Sequence, residues 1–131
     1  MRRIFGKGDS ETRDADDGFP RRVHLMVEPA TAGAEHLAMG TEDVHPGSQI
    51  PVHVHDHAEE ILFIYAGSAR ARIGDEEVEV GPETAIFVPK GMPHGVVNTS
   101  DEDVRLTWTF APPGEQAKFR DDAIWKHSRR V

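Results

Sequence analysis

Short apolar runs broken by Gly and Pro organise most of this chain. From Val23 onward the segments RRVHLMVE, EHLAMGTE, PVHVH, EEILFIYAG, SARARIG, EEVEVG, TAIFVP, GVVN and VRLTWTFAPP follow one another. Alternation of apolar and polar residues over such lengths puts every second side chain on one face of a strand. A series of short strands with turn residues between them predicts an all-β sandwich or barrel. The step ARIGDEEVEV predicts a hairpin, because Gly74-Asp75 suits a tight turn and Ile73, Val78 and Val80 then share the inner face. Its outer face carries Arg70, Arg72, Glu77 and Glu79, placed as cross-strand pairs.

Both ends of the chain depart from this pattern. Residues 6–22 mix Gly, Asp, Ser and Arg without apolar periodicity, so residues 1–22 are expected to form a flexible arm. The barrel domain is expected over residues 23–112. After the break at Pro112-Pro113-Gly114, EQAKFRDDAIWKHSRR holds good helix formers, with Phe119, Ala123 and Ile124 spaced for one face. A short helix packed across the barrel wall is expected within residues 113–131, ending in a solvated basic tail.

Composition narrows the function classes. The 131 residues allow one ordinary domain and a modest core, with 37% hydrophobic residues. A net charge of −8 repels phosphate backbones and anionic membranes, so nucleic acid is not an expected partner. No apolar run is long enough to span a membrane, and no apolar block follows the arginines at the start of the sequence, so neither a span nor a signal peptide is predicted. With no cysteine there is neither a disulfide nor a thiolate ligand, which fits a cytoplasmic protein. Any transition metal must be held by His and carboxylate.

Four of the eight histidines fall between residues 45 and 57, beside the pair Glu59-Glu60. In V-H-V-H the imidazoles of His53 and His55 project to one face, with Val52 and Val54 on the other. Two inward imidazoles need partners for their ring nitrogens, and a shared divalent cation satisfies one nitrogen of each. Glu60 shares a face with Leu62 and Ile64, which turns a carboxylate inward, where it is costly without a cation. His57 joins them only if the strand continues through Asp56; otherwise it sits in a turn. His24, His36, His45 and His127 read as surface or packing residues.

The spacing of these residues resembles a known family. Gly47, five residues, His53, one residue, His55, four residues, Glu60, six residues and Gly67 match the first cupin motif. Pro89-x-Gly91-x-x-His94-x-x-x-Asn98 matches the second half of the other. The resemblance covers roughly residues 35–112 and implies a double-stranded β-helix, a jelly-roll barrel holding one divalent metal ion per chain. By this resemblance the ligands are His53, His55, Glu60 and His94. Glu59 is the rival for the third place, but only Glu60 keeps six residues before Gly67. One departure stands out. The glycine usual six residues before the proline is Glu83 here, so the turn is expected to be rebuilt as Gly81-Pro82-Glu83-Thr84.

Three imidazoles and a carboxylate leave two positions open on an octahedral ion, the layout of a reactive site. Fe, Mn, Ni, Zn and Cu all suit such ligands. The inward strand positions Met39, Leu62, Ile64, Val88, Leu106, Trp108 and Phe110 are expected to line a pocket for a small oxygenated molecule. The leading expectation is a dioxygenase in which Glu60 doubles as ligand and base. The alternatives are a redox-neutral lyase, cyclase or isomerase using the metal as a Lewis acid, and a non-catalytic binding module. Ile61, Phe63 and Tyr65 on the opposite strand face, together with the resemblance, predict a homodimer.

Overall fold

In the computed structural model, which describes residues 2–128, the alternating segments become strands of two antiparallel sheets. The strands are β1 (Glu11–Ala15), β2 (Arg21–Val27), β3 (Ala38–Val44), β4 (Gln49–His53), β5 (Glu59–Ala66), β6 (Ala69–Ile73), β7 (Glu76–Val80), β8 (Thr84–Val88), β9 (His94–Asn98), β10 (Val104–Ala111) and β11 (Trp125–His127). One sheet runs β11-β1-β2-β3-β10-β5-β8 and the other β4-β9-β6-β7, the arrangement of a jelly-roll barrel. No helix among the described residues is long and apolar enough to cross a membrane.

Period-two burial is cleanest in β5 and β10. Glu60, Leu62 and Ile64 point inward on β5, and Val104, Leu106, Trp108 and Phe110 point inward on β10. The register sets Phe110 across from Glu60 and Trp108 across from Leu62. The apolar ones among them join Val23, Leu25, Val88 and Val96 in one core. Trp108 satisfies its indole by donating to the Thr41 carbonyl at 3.1 Å. Asn98 donates to the carbonyls of Val44 and Glu102, both at 2.8 Å, and so ties the turn after β9 to β3.

The β6–β7 hairpin forms with Gly74-Asp75 at its turn; Val78 faces Ala71, and Val80 faces Ala69. Arg70 pairs with Glu79 at 3.0 Å on the outer face. The rebuilt turn before β8 also forms, with Glu83 at φ +64, the left-handed value a glycine adopts without strain. Its amide donates to the Ile64 carbonyl at 2.7 Å.

Both ends of the chain differ from expectation. Residues 11–15 of the expected flexible arm form β1, paired to β2 on one side and β11 on the other. Ion pairs stabilise it where an apolar stripe is missing: buried Arg13 contacts Glu11 at 2.8 Å and Asp122 at 3.0 Å. The expected C-terminal helix is a single 3-10 stretch, Glu115–Arg120, after which the chain turns back into β11. Arg120 fixes the stretch to the barrel, reaching buried Glu28 at 2.7 Å and Glu11 at 3.0 Å. Phe119 packs inward as expected, while Ala123 is exposed. The last three residues of the expected tail lie outside the described residues.

Candidate metal centre

Four elements deliver four side chains to one point inside the barrel. His53 ends β4 and sits across from His94, the first residue of β9. Glu60 comes from β5, and His55 from the segment just past β4. The strand stops at His53, so His55 is not held by the ladder its alternation suggested. Its carbonyl instead accepts from the Gly91 amide at 2.8 Å, which pins the loop carrying His55 to the turn before His94. Gly91 makes that turn at φ +81. The imidazole centroids lie 4.2 to 5.0 Å apart, and one ligand atom from each of the four residues falls within 4.8 Å of all the others. Donors about 2 Å from a common ion span distances of this order.

The hydrogen bonds fix which nitrogen faces inward. Nδ1 of His53 donates to the Pro51 carbonyl at 2.7 Å, and Nδ1 of His94 to the Met92 carbonyl at 3.0 Å. Nδ1 of His55 donates to the Glu115 carboxylate at 3.1 Å. A carbonyl or carboxylate oxygen can only accept, so in the neutral rings each Nε2 is left with a bare lone pair. Yet Nε2 of His94 stands 3.0 Å from Oε1 of Glu60, and Nε2 of His55 stands 3.3 Å from the same oxygen without making a hydrogen bond. Lone pairs converging on a carboxylate in a buried site need an extra proton or a cation between them. The donor set, its outward hydrogen bonds and the orphaned His55 Nε2 therefore fit a divalent metal ion.

Electrostatics agree. Burial would raise Glu60, but the imidazoles of His55 and His94 outweigh it and hold the carboxyl down to about 2. Burial, aided by the charge of Lys118, pushes His53 down to about 3, so its ring is neutral and ready to coordinate. Glu59, one residue away, points to solvent. His57 lies exposed in the bend after His55, and His36 and His127 are exposed as well. His45 contacts Asp103 at 3.0 Å, and buried His24 bonds Thr12 at 3.0 Å, both away from the cluster.

The cluster opens into a cavity of about 320 Å³. Of the side chains expected to line it, Leu62 and Phe110 do. Ile64, Val88, Leu106 and Trp108 lie deeper in the core, and half-buried Met39 sits on the outer phase of β3. The reason is geometric. The cavity occupies one end of the barrel, so only the inward positions nearest that end border it. Much of the remaining wall comes from residues that strand periodicity did not mark: Glu115, Lys118 and Phe119 on the 3-10 stretch, Ile124 and Trp125 beyond it, and Arg21 with Glu42 on β2 and β3.

These added residues bring charge. Arg21 is held by Asp17 at 2.9 Å and Glu42 at 3.2 Å, and its guanidinium lies 4.8 Å over the Trp125 ring. Glu42 is pushed up to about 7 by burial, although Arg21 and Lys118 pull against it. Burial lowers the proton affinity of the Lys118 ammonium, although the charges of Glu60, Glu42 and Glu115 pull against it.

Comparison with known proteins agrees with this geometry. The sequence matches the family described as a cupin domain over residues 40–110. Protein SchB of Streptomyces halstedii is 31% identical over 102 residues, 74% of each chain. The tetracenomycin polyketide synthase protein TcmJ of Streptomyces glaucescens is 26% identical over 90 residues, 69% of this chain and 60% of its own. Among solved structures, the polyketide cyclase RemF of Streptomyces resistomycificus aligns with a TM-score of 0.69 at 22% identity, over 100% of this chain and 87% of that one, a likeness of fold. The jelly-roll barrel, the two spaced motifs and a family match across more than half of the residues have one reading: the chain belongs to the cupins.

Proposed function

We propose that this cupin is a metal-dependent, redox-neutral cyclase acting on a small enolisable polyketone. The observation that carries the reading is the cluster of His53, His55, Glu60 and His94 opening into a small, largely apolar cavity. By name TcmJ belongs to a polyketide synthase and RemF is a polyketide cyclase, and both favour the cyclase among the alternatives. The dioxygenase expected from sequence would use the same ligands, but those names give it no support.

When bound, the metal would act as a Lewis acid on substrate oxygens and ease enolisation. The chain's own residues do the rest. The Nδ1 hydrogen bonds to Pro51, Glu115 and Met92 hold each imidazole in the orientation that faces the ion. In this reading Glu60 takes the proton from the carbon next to a carbonyl that becomes the nucleophile. Leu62, Val96, Phe110 and Phe119 exclude water and fold an apolar chain back on itself.

The test uses 2,4,6-heptanetrione. Ring closure joins its first and sixth carbons and expels one water, giving 3,5-dihydroxytoluene with no change in oxidation state. The metal-loaded protein is expected to form this product under nitrogen as fast as in air. Oxygen consumed in proportion to product would instead establish the dioxygenase. Binding of the trione without turnover in either atmosphere would leave a non-catalytic module.

A further inference from the structure

The cavity has a second pole. The four-residue cluster and half-buried Lys118 both border it. Every other cation of the cavity wall is already engaged, since Arg21 is held by Asp17, the Phe19 carbonyl and Glu42. Lys118 is different: among the described residues its ammonium makes neither an ion pair nor a hydrogen bond. It lies 5.8 Å from the Phe110 ring centroid and 5.2 Å from that of Phe119, stacked by the aromatic walls. The carboxylates of Glu60, Glu42 and Glu115 act on it only through the field. A desolvated ammonium with three unused donors, bordering a cavity and backed by aromatic faces, is placed to bind an anionic oxygen.

We propose that Lys118 binds the substrate directly, holding an enolate or phenolate oxygen beside the rings of Phe110 and Phe119. This rests on the enolisable substrate assigned above, and it makes the site two-pointed. One oxygen of the ligand meets the four-residue cluster and a second meets Lys118, so ligands that carry two oxygens are selected. It also gives the 3-10 stretch a purpose beyond packing, because Glu115 braces His55 while Lys118, three residues on, meets the ligand.

The experiment titrates two probes into the zinc-loaded protein and follows Trp fluorescence, since Trp125 borders the cavity. The first probe is 4-hydroxy-6-methyl-2-pyrone, an acidic enol that is anionic at neutral pH; the second is its 4-methoxy derivative, which cannot ionise. Lys118→Met is expected to weaken the hydroxy probe about tenfold or more, the worth of one hydrogen bond to a charged group. The methoxy probe should bind parent and variant alike, with zinc content unchanged. Lys118→Arg should restore most of the hydroxy-pyrone affinity. Equal binding of the hydroxy probe by parent and Lys118→Met would overturn the proposal. So would equal loss of both probes, which would make Lys118 a packing residue. If Lys118 governs hydroxy-pyrone binding but no trione is cyclised, the anion pole stands and the cyclase reading falls.

Discussion

Glu59 and Glu60 are adjacent and chemically alike, yet the pleat of β5 sends one to solvent and the other to the cluster. Glu60→Gln is therefore expected to abolish metal retention and Glu59→Gln to leave it intact, as read by metal content after gel filtration. The outward partner of His55 should matter in proportion: Glu115→Gln is expected to weaken metal affinity about 10- to 100-fold in a competition titration. Alternation marked His53 and His55 and the spacing to Gly67 chose Glu60 over Glu59, whereas placing His94 needed the second spaced motif, because no local period links residues 34 positions apart. Glu115 and Lys118 left no such trace, since their positions follow from how a 3-10 stretch docks on the barrel end. Glu83 shows strain where the family's usual glycine is absent. Glu83→Gly should raise stability by about 0.5 kcal/mol, read as a higher urea midpoint, the relief of a left-handed non-glycine residue exceeding the added unfolded-state entropy. Glu42 titrates in the other direction from an ordinary ion-paired acid. Its folded value, about 7, lies above its ordinary 4.5, so the folded state holds the proton more tightly. Its contribution is complete below about pH 4.5 and is lost as pH rises towards 7. In metal-free protein, Glu42→Gln is expected to flatten the fall in urea midpoint across that window.

At the level of elements, the two ends of the chain act together. β1 and β11 pair with each other and extend the larger sheet, and the 3-10 stretch between β10 and β11 walls the cavity. Trp125 joins these parts, buried at 4% exposure, edge-on to Phe119 at 5.1 Å and beneath Arg21. Trp125→Ala should cost about 3 kcal/mol or more through the cavity it leaves, lowering the urea midpoint. It should also loosen the wall that carries Lys118. Sequence periodicity overlooked β1 because Arg13, Glu11 and Asp122 stabilise it by charge, and it overlooked β11 because three residues are too few to show a period. The central strands were readable for the opposite reason: β5 and β10 bury every second residue against one core.

For the whole molecule, the outer face of the larger sheet stays apolar where β5 and β8 meet. Ile61, Phe63, Tyr65 and Phe87 are exposed there, with Ile61 directly across from Phe87. In a chain of net charge −8, a mainly apolar patch is where a second copy can approach with little repulsion, and we propose that a homodimer forms on it. Sedimentation equilibrium at micromolar concentration should give twice the chain mass of 14.5 kDa, and a monomeric mass would refute the dimer. Everything proposed for the site depends on a divalent metal ion held at His53, His55, Glu60 and His94. Elemental analysis after reconstitution and gel filtration tests it most directly. The expected result is about one equivalent of divalent transition metal per chain, lost in the double variant His53→Ala, His55→Ala. Less than roughly a tenth of an equivalent in the parent protein, unchanged by reconstitution, would contradict it.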